Sequence, residues 1–186
     1  MSMEKYKILG VDPGTNILGY ALLEVDGKKV SLITMGVIKL SHYENHQTKL
    51  KEIYLQLQEI IETYLPKTLA IEAPFFGKNV QSMLKLGRAQ GVSMAAAITM
   101  GLEIVEYSPK AIKKSVTGNG NASKEQVASM LKSILKTKVE FKYLDATDAL
   151  GAAYTYFNKA NSPLKGNKSY SGWDSFIKDN PKKLSK

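Results

Sequence analysis

The feature that most constrains the fold is the stretch 8–20, where an apolar run leads into one acidic residue and a Pro-Gly turn and then resumes. Ile8, Leu9 and Val11 favour β-structure and have few polar neighbours, so they predict a strand that is buried on both faces and central in its sheet. Asp12 lies at the end of this strand, where burying an unpaired carboxylate would be costly. Asp12 therefore either caps the turn through backbone N–H groups or has a functional partner.

Two further strands follow, over residues 18–25 and 30–40, with a hairpin signal at Asp26 and Gly27 between them. Three consecutive strands joined by short turns predict an antiparallel meander. Apolar residues at three- and four-residue spacing then predict an amphipathic helix over about residues 47–64.

A short apolar strand over residues 68–73 follows this helix and ends in Glu72. A helix between two strands forms a crossover, which usually returns the chain parallel to a strand of the same sheet. If this strand lies beside the first one, Asp12 and Glu72 come to the same edge of the sheet. Ligands bind at such switch points in open α/β sheets.

The rest of the chain predicts a helix over residues 79–100, a strand over residues 103–107, a helix starting at Ser123 with Gln126 in capping-box spacing, and a last helix beginning near Asp145. The predicted fold class is therefore α/β. Its five-stranded mixed sheet has strands 1, 2 and 3 in an antiparallel meander, strands 4 and 5 in parallel, and helices flanking it.

Small residues line one face of the predicted 79–100 helix, where Gly87, Gly91 and Ala95 permit the close approach of another backbone. This stripe predicts either tight packing of the helix on the sheet or a dimer interface. The same face carries larger apolar residues, namely Val80, Met83, Leu84, Met94 and Ile98.

Two more acidic residues, Asp145 and Asp148, project from one face of the first turn of the last helix because they are three positions apart. Either carboxylate could simply stabilise the positive, N-terminal end of the helix dipole, and Asp145 could cap the helix. If they converge with Asp12 and Glu72, the repulsion among four carboxylates requires cations. Oxygen ligands in a chain without cysteine favour Mg²⁺, or Mn²⁺ in its place. Two such ions suit phosphodiester hydrolysis.

The net charge of +9 favours a polyanionic partner. More than half of it lies in residues 158–186, which hold seven lysines and two aspartates and predict a basic tail that stays unfolded in isolation. The sequence has no apolar stretch of about 18 residues, no signal-peptide pattern at its start and no cysteine. We therefore expect a cytoplasmic protein.

Four motifs together resemble the RuvC-type Holliday junction resolvases of the ribonuclease-H-like superfamily. They cover residues 11–15 with 19–20, residues 71–76, residues 85–91 and residues 145–149. The resemblance extends over roughly residues 6–157, so it implies a ribonuclease-H-like nuclease domain over residues 1–157. It also implies an endonuclease that resolves four-way DNA junctions by metal-dependent nicking of two opposed strands in recombination and repair.

The resemblance further implies that the four carboxylates are catalytic and bind Mg²⁺, two ions per active site. Phe75 would stack on a junction base, although it could instead be a core plug. The partners implied are a homodimer, four-way junction DNA and a hexameric branch-migration motor.

Basic residues also surround the glycine-containing loop 117–121, which opens a helix and suits a phosphate group, although they could equally form a solvated face. The residues predicted to bind DNA are Phe75, Lys85, Arg88, Lys113, Lys114 and Lys124.

Three other functions fit part of the pattern. An ATP-dependent phosphotransferase shares the turn after Asp12, but such enzymes bind nucleotide between two copies of the fold, and 186 residues supply one. A related nuclease acting on RNA or other branched DNA shares the carboxylates without needing the dimer. A non-catalytic junction-binding or chromatin protein would not need four acidic residues beside its polyanion.

Overall fold

The structure is a computed structural model that describes residues 5–73, 79–137 and 143–161. Within these ranges no helix is long and apolar enough to cross a membrane. In chain order, the elements are the strands β1 (Tyr6–Asp12), β2 (Ile17–Asp26) and β3 (Lys29–Lys39), helix α1 (His46–Tyr64), strand β4 (Thr68–Glu72), helix α2 (Val80–Thr99), strand β5 (Glu103–Tyr107), and the helices α3 (Pro109–Thr117), α4 (Lys124–Leu135) and α5 (Leu144–Ala160).

The five strands form one sheet in the order β3-β2-β1-β4-β5. The β1–β2 and β2–β3 pairs are antiparallel, whereas the β1–β4 and β4–β5 pairs are parallel. The predicted mixed sheet is thus confirmed, with β1 at its centre. Ile8, Leu9 and Val11 have no exposed surface, as the apolar pattern of this strand predicts.

Alternate residues of β1 point into two separate core layers. Leu9 and Val11 pack in the layer that contains Ile53 of α1 and also includes α2. Ile8 packs in the opposite layer with Leu150 of α5, together with α3 and α4. The sheet is therefore covered on both faces, and its edges at the strand ends are where side chains of both layers can meet a ligand.

One of the two expectations for α2 is wrong, namely that its stripe of small residues packs on the sheet. Its buried residues are Ala89, Gln90, Ser93, Ala96 and Ala97, which pack towards α1 and β5. The predicted stripe lies on the other side, where a Cβ added to Gly87 or Gly91 would meet nothing within 4 Å. On this outer side Val80, Leu84 and Ile98 are 68%, 51% and 61% exposed. Tight packing of the glycines on the sheet is thereby excluded.

Helix α3 was not among the predicted elements, although its sequence carries the usual signals. Ser108 caps it by accepting a hydrogen bond from Ala111 N at 3.3 Å, and Pro109 is its first residue. Gly118 ends it with a left-handed φ of 79°. By contrast, the predicted capping box of α4 is confirmed, since Ser123 and Gln126 bond to each other's backbone N–H.

Helix α5 extends to Ala160, three residues beyond the predicted end of the nuclease domain. Most of the predicted tail, residues 162–186, lies outside the described residues, as does Phe75.

Candidate active site

Asp12 and Glu72 lie at the same edge of the sheet because β1 and β4 are parallel neighbours. Val11 is paired with Ile71 in the register of the two strands, so the acidic residues that follow are adjacent. Both carboxylates continue the face on which Gly10 and Ala70 lie, which is the face covered by α5. The predicted meeting of these two residues is therefore confirmed.

Two glycines let α5 lie directly on this part of the sheet. A Cβ on Gly19, the β2 partner of Asp12, would lie 2.0 Å from the carbonyl oxygen of Asp145. A Cβ on Gly10 would lie 2.0 Å from the carbonyl oxygen of Ala149. Since no real Cβ approaches backbone so closely, only glycine at these positions permits the observed packing. This packing brings the first turn of α5 to the sheet edge where Asp12 and Glu72 lie.

Asp145 and Asp148 both lie in this first part of α5. The helix begins at Leu144, and its N-cap is Tyr143, whose side chain makes no capping hydrogen bond. Asp145 therefore does not cap the helix, although it does lie in the first turn, where an acidic residue favours the helix N-terminus. Its charge acts on both Asp12 and Asp148.

Asp12 is largely buried, and burial is the main cause that raises its pKa, to about 8. The negative charges of Glu72, Asp148 and Asp145 raise the pKa further, whereas Lys124 opposes them. No hydrogen bond from the described residues reaches the Asp12 carboxylate, so the alternative of a turn cap has no support in them. The negative charges of the other three carboxylates thus act on Asp12 in addition to its burial.

The same causes act on Glu72. Burial and then the charge of Asp148 raise the pKa of Glu72 to about 7, and Lys124 and Lys113 partly counteract them. Burial also raises the pKa of Asp148, in spite of its ion pair with Lys124. Lys124 and Lys113 thus lie beside the carboxylates, as expected for residues predicted to meet DNA phosphates there.

The fit of these residues to a metal ion follows from their chemistry. Four oxygen-donor side chains lie at one sheet edge in a chain without cysteine, and the raised pKa values of Asp12, Glu72 and Asp148 mean that a divalent cation would stabilise their charged forms. In the present side-chain arrangement, no three acidic or histidine residues of the described ranges are grouped closely enough to hold a metal ion. In donor type alone, the set fits Mg²⁺ because all four side chains offer carboxylate oxygens.

The other predicted DNA-binding residues fall into separate places. Lys114 lines a cleft of about 320 Å³ together with Asn158 and Lys159, on the side of α3 away from the carboxylates. Lys85 and Arg88 lie on α2, near enough to His46 at the start of α1 for their charges to act on it. His46 was not among the predicted site residues, because its surroundings depend on the packing of α2 against α1.

Comparison with known proteins agrees with this fold. The family model described as crossover junction endodeoxyribonuclease RuvC matches residues 8–156. The protein of that name from Christiangramia forsetii is 56% identical over 177 residues, which cover 95% of this chain and 92% of the relative. That from Cytophaga hutchinsonii is 57% identical over 178 residues, covering 95% of this chain and 87% of the relative. Thermus thermophilus RuvC, solved in complex with a Holliday junction substrate, is 30% identical with a TM-score of 0.77, over 83% of this chain and 94% of that one. This chain therefore belongs to the family of RuvC crossover junction endodeoxyribonucleases.

Proposed function

We propose that Asp12, Glu72, Asp145 and Asp148 form the catalytic centre with which this Holliday junction resolvase nicks DNA. The observation that carries the proposal is the convergence of acidic residues from β1, β4 and α5 at one sheet edge, where nearby carboxylates raise the pKa of Asp12 and of Glu72. A group of buried, mutually repelling carboxylates is costly for folding, and a functional role explains why the chain contains it. Family membership also favours this nuclease over the phosphotransferase and the non-catalytic alternatives.

The proposed cofactor is Mg²⁺, two ions per site, with Mn²⁺ able to replace it. When bound, the ions would activate a water molecule and stabilise the leaving oxygen of the phosphodiester. The four carboxylates would hold them, while Lys113 and Lys124 offset the negative charge so that a DNA phosphate can approach. Lys124 forms an ion pair with Asp148. We infer that this ion pair loosens when cations take up the negative charge.

We further propose that the protein is a homodimer, because symmetric nicking of two opposed strands requires two active sites. The outer face of α2, formed by Val80, Leu84, Gly87, Gly91 and Ile98, supports this interface since its apolar residues are exposed.

From family membership we infer cooperation with a hexameric branch-migration motor, and we place the enzyme in the cytoplasm with the chromosomal junctions.

Two predictions concern residues that lie wholly or mostly beyond the described ranges. Phe75 follows the Glu72 strand, and we propose that it stacks on a base at the junction centre. Residues 158–186 are proposed to be a basic tail that binds further DNA phosphates. Removing them should therefore flatten the salt dependence of DNA binding, by roughly one unit of slope for each phosphate that the tail neutralises.

The catalytic assignment is tested by amide substitutions. Asp12→Asn, Glu72→Gln and Asp145→Asn should each slow Mg²⁺-dependent cleavage of a four-way junction by about a hundredfold or more, because loss of a metal ligand removes several kcal/mol of transition-state stabilisation. Junction binding without metal should persist, or strengthen as repulsion falls.

The matched control is Asp26→Asn, since Asp26 also ends a strand but lies at the opposite edge of the sheet, paired with Lys5 at 3.2 Å. Its cleavage rate should equal that of the wild type. Wild-type rates in the Asp12, Glu72 or Asp145 variants would reject the proposed centre.

A further inference from the structure

A second basic cluster lies at the same sheet edge as the carboxylates but in the other helix layer. Because β3 runs parallel to β1, helix α1 starts at the edge where Asp12 lies, and Leu40 N donates to Asn16 O at 2.8 Å beside it. Lys49 of α1 reaches the same turn, donating from Nζ to Asn16 Oδ1 at 3.0 Å. Helix α2 also starts on this side, after β4 has ended in Glu72.

The cluster consists of His46 and Lys49 from α1 and Lys85 and Arg88 from α2. Burial is the largest cause that lowers the pKa of His46, followed by the positive charges of Arg88, Lys85 and Lys49. The first turn of α1 carries no acidic residue, and none of the three cations forms an ion pair with a carboxylate of the described residues. The positive charge of the cluster is thus left unneutralised by the described part of the fold.

One atom of the cluster points to a ligand. The Nε2 atom of His46 is buried, and it has no hydrogen-bond partner within residues 5–73, 79–137 and 143–161. A buried polar atom without a partner is costly, and native proteins rarely keep one without a use. Surrounding cations disfavour a further cation as its partner, whereas they favour an anion with acceptor oxygens.

We propose that His46, Lys49, Lys85 and Arg88 form a phosphate-binding site for the junction DNA, in which a phosphate oxygen accepts a hydrogen bond from His46 Nε2. The site rests on the proposed catalytic centre, because it lies on the flank of the carboxylates opposite Lys113 and Lys124. A DNA strand that crosses the sheet edge is then held by cations on both sides of the acidic residues. Since the carboxylates themselves repel the strand, this two-sided binding positions the phosphodiester over them.

A phosphate in this site makes DNA binding depend on pH. Its negative charge favours the imidazolium form of His46, so binding takes up a proton and strengthens as the pH falls. The charged groups that face His46 are Lys49 on its own helix and Lys85 and Arg88 on α2.

The test measures junction affinity without divalent metal at pH 6, 7 and 8 and at several salt concentrations. Lys49→Gln should weaken binding and reduce the salt slope by about one unit, as expected when one DNA phosphate is no longer neutralised. His46→Gln should remove part of the wild-type pH dependence, which is at most tenfold in affinity per pH unit for one proton.

Matched controls are Lys51→Gln, an exposed position on the same helix, and His42→Gln, the other histidine of the chain. Both should keep the wild-type slopes. Thermal unfolding of each variant verifies folding, and Lys49→Gln decides the outcome if His46→Gln does not fold.

Unchanged salt and pH slopes in Lys49→Gln and His46→Gln would overturn this inference. If Asp12→Asn still loses cleavage in the same experiments, the catalytic proposal stands and only the second phosphate site is wrong. If Asp12→Asn keeps wild-type cleavage, the catalytic centre itself has been misplaced.

Discussion

Helices α5 and α2 are both rich in small residues, but they use them in opposite ways. In α5 the alanines are buried, and the helix meets Gly10 and Gly19 of the sheet so closely that no Cβ fits between them. In α2 the stripe of Gly87 and Gly91 faces away from the fold and meets nothing within 4 Å. A small-residue stripe therefore predicts that a backbone can come close, but it does not say which backbone.

The difference has a functional consequence. The close approach of α5 carries two acidic residues to the edge where Asp12 and Glu72 lie, so its packing on the two glycines helps to build the proposed active site. The open stripe of α2 contributes nothing to the described core, which leaves it available to a second copy of the chain. The following predictions test this contrast, beginning with the largest expected effect.

A methyl group added where α5 packs on the sheet should lower the free energy of unfolding more than one added to the glycine stripe of α2. Gly10→Ala and Gly19→Ala each place a Cβ 2.0 Å from a backbone oxygen, so α5 must move. We expect a loss of about 3 kcal/mol or more in the free energy of unfolding, and a fall of about 2–4 °C in Tm for each kcal/mol. Gly91→Ala is the matched control because its Cβ meets no atom. Wild-type stability in both sheet variants would mean that α5 does not lie where the structure places it.

The acidic residues that α5 brings to the sheet should make stability depend on pH. The folded-state pKa of Asp12 is about 8 and that of Glu72 about 7, both above the ordinary values of 3.8 and 4.5. Between the ordinary and the raised pKa values the folded state binds more protons than the unfolded state, so stability falls as the pH rises. In a chelator, we expect Tm to fall between pH 5 and pH 8.5.

Mg²⁺ should restore much of the lost Tm at the upper end of this range, because a cation stabilises the charged carboxylates and binds only the folded site. Asp12→Asn should show a weaker fall with pH and a weaker response to Mg²⁺. A wild-type Tm that is flat in pH and insensitive to Mg²⁺ would contradict the burial and repulsion inferred for this group.

Much of the site was predictable from local sequence. The apolar run before Asp12, the crossover before Glu72 and the three-residue spacing of Asp145 and Asp148 each depend on neighbouring residues and general topology rules. The surroundings of His46 were not predictable, because they depend on α2 packing against α1, some forty residues away in the chain.

The orientation of α2 was missed for a related reason. Its sequence has two apolar stripes, one through Ala89 and Ala96 and one through Leu84 and Ile98, and spacing alone does not decide which faces the core. Helix α3 was not predicted because its two buried residues, Ile112 and Val116, stand among lysines. With so few apolar residues, their four-residue spacing is a weak helix signal.

The outer face of α2 should control assembly without controlling folding. Leu84→Glu places a charge on this face, where it would be buried without a partner in a dimer. We expect the dimer to weaken by about a hundredfold in sedimentation experiments, and paired nicking to give way to single nicks, while the monomer keeps its Tm. The matched control is Leu55→Glu, which alters a similarly exposed leucine of α1. A wild-type dimer in Leu84→Glu would exclude this face as the interface.

The substitution with the smallest expected effect distinguishes the packing of α2 from that of α5 most directly. Gly87→Ala adds a Cβ in open space inside a helix, where alanine is favoured over glycine by about 1 kcal/mol. At concentrations low enough for monomer, Tm should therefore rise by a few degrees, in contrast to the fall expected for Gly19→Ala. If a second α2 packs closely against the stripe, the same methyl group weakens the dimer, so the stabilisation should shrink or reverse as the protein concentration increases. A fall in Tm at every concentration would mean that Gly87 already has a close neighbour within its own chain, and the contrast between α2 and α5 would be wrong.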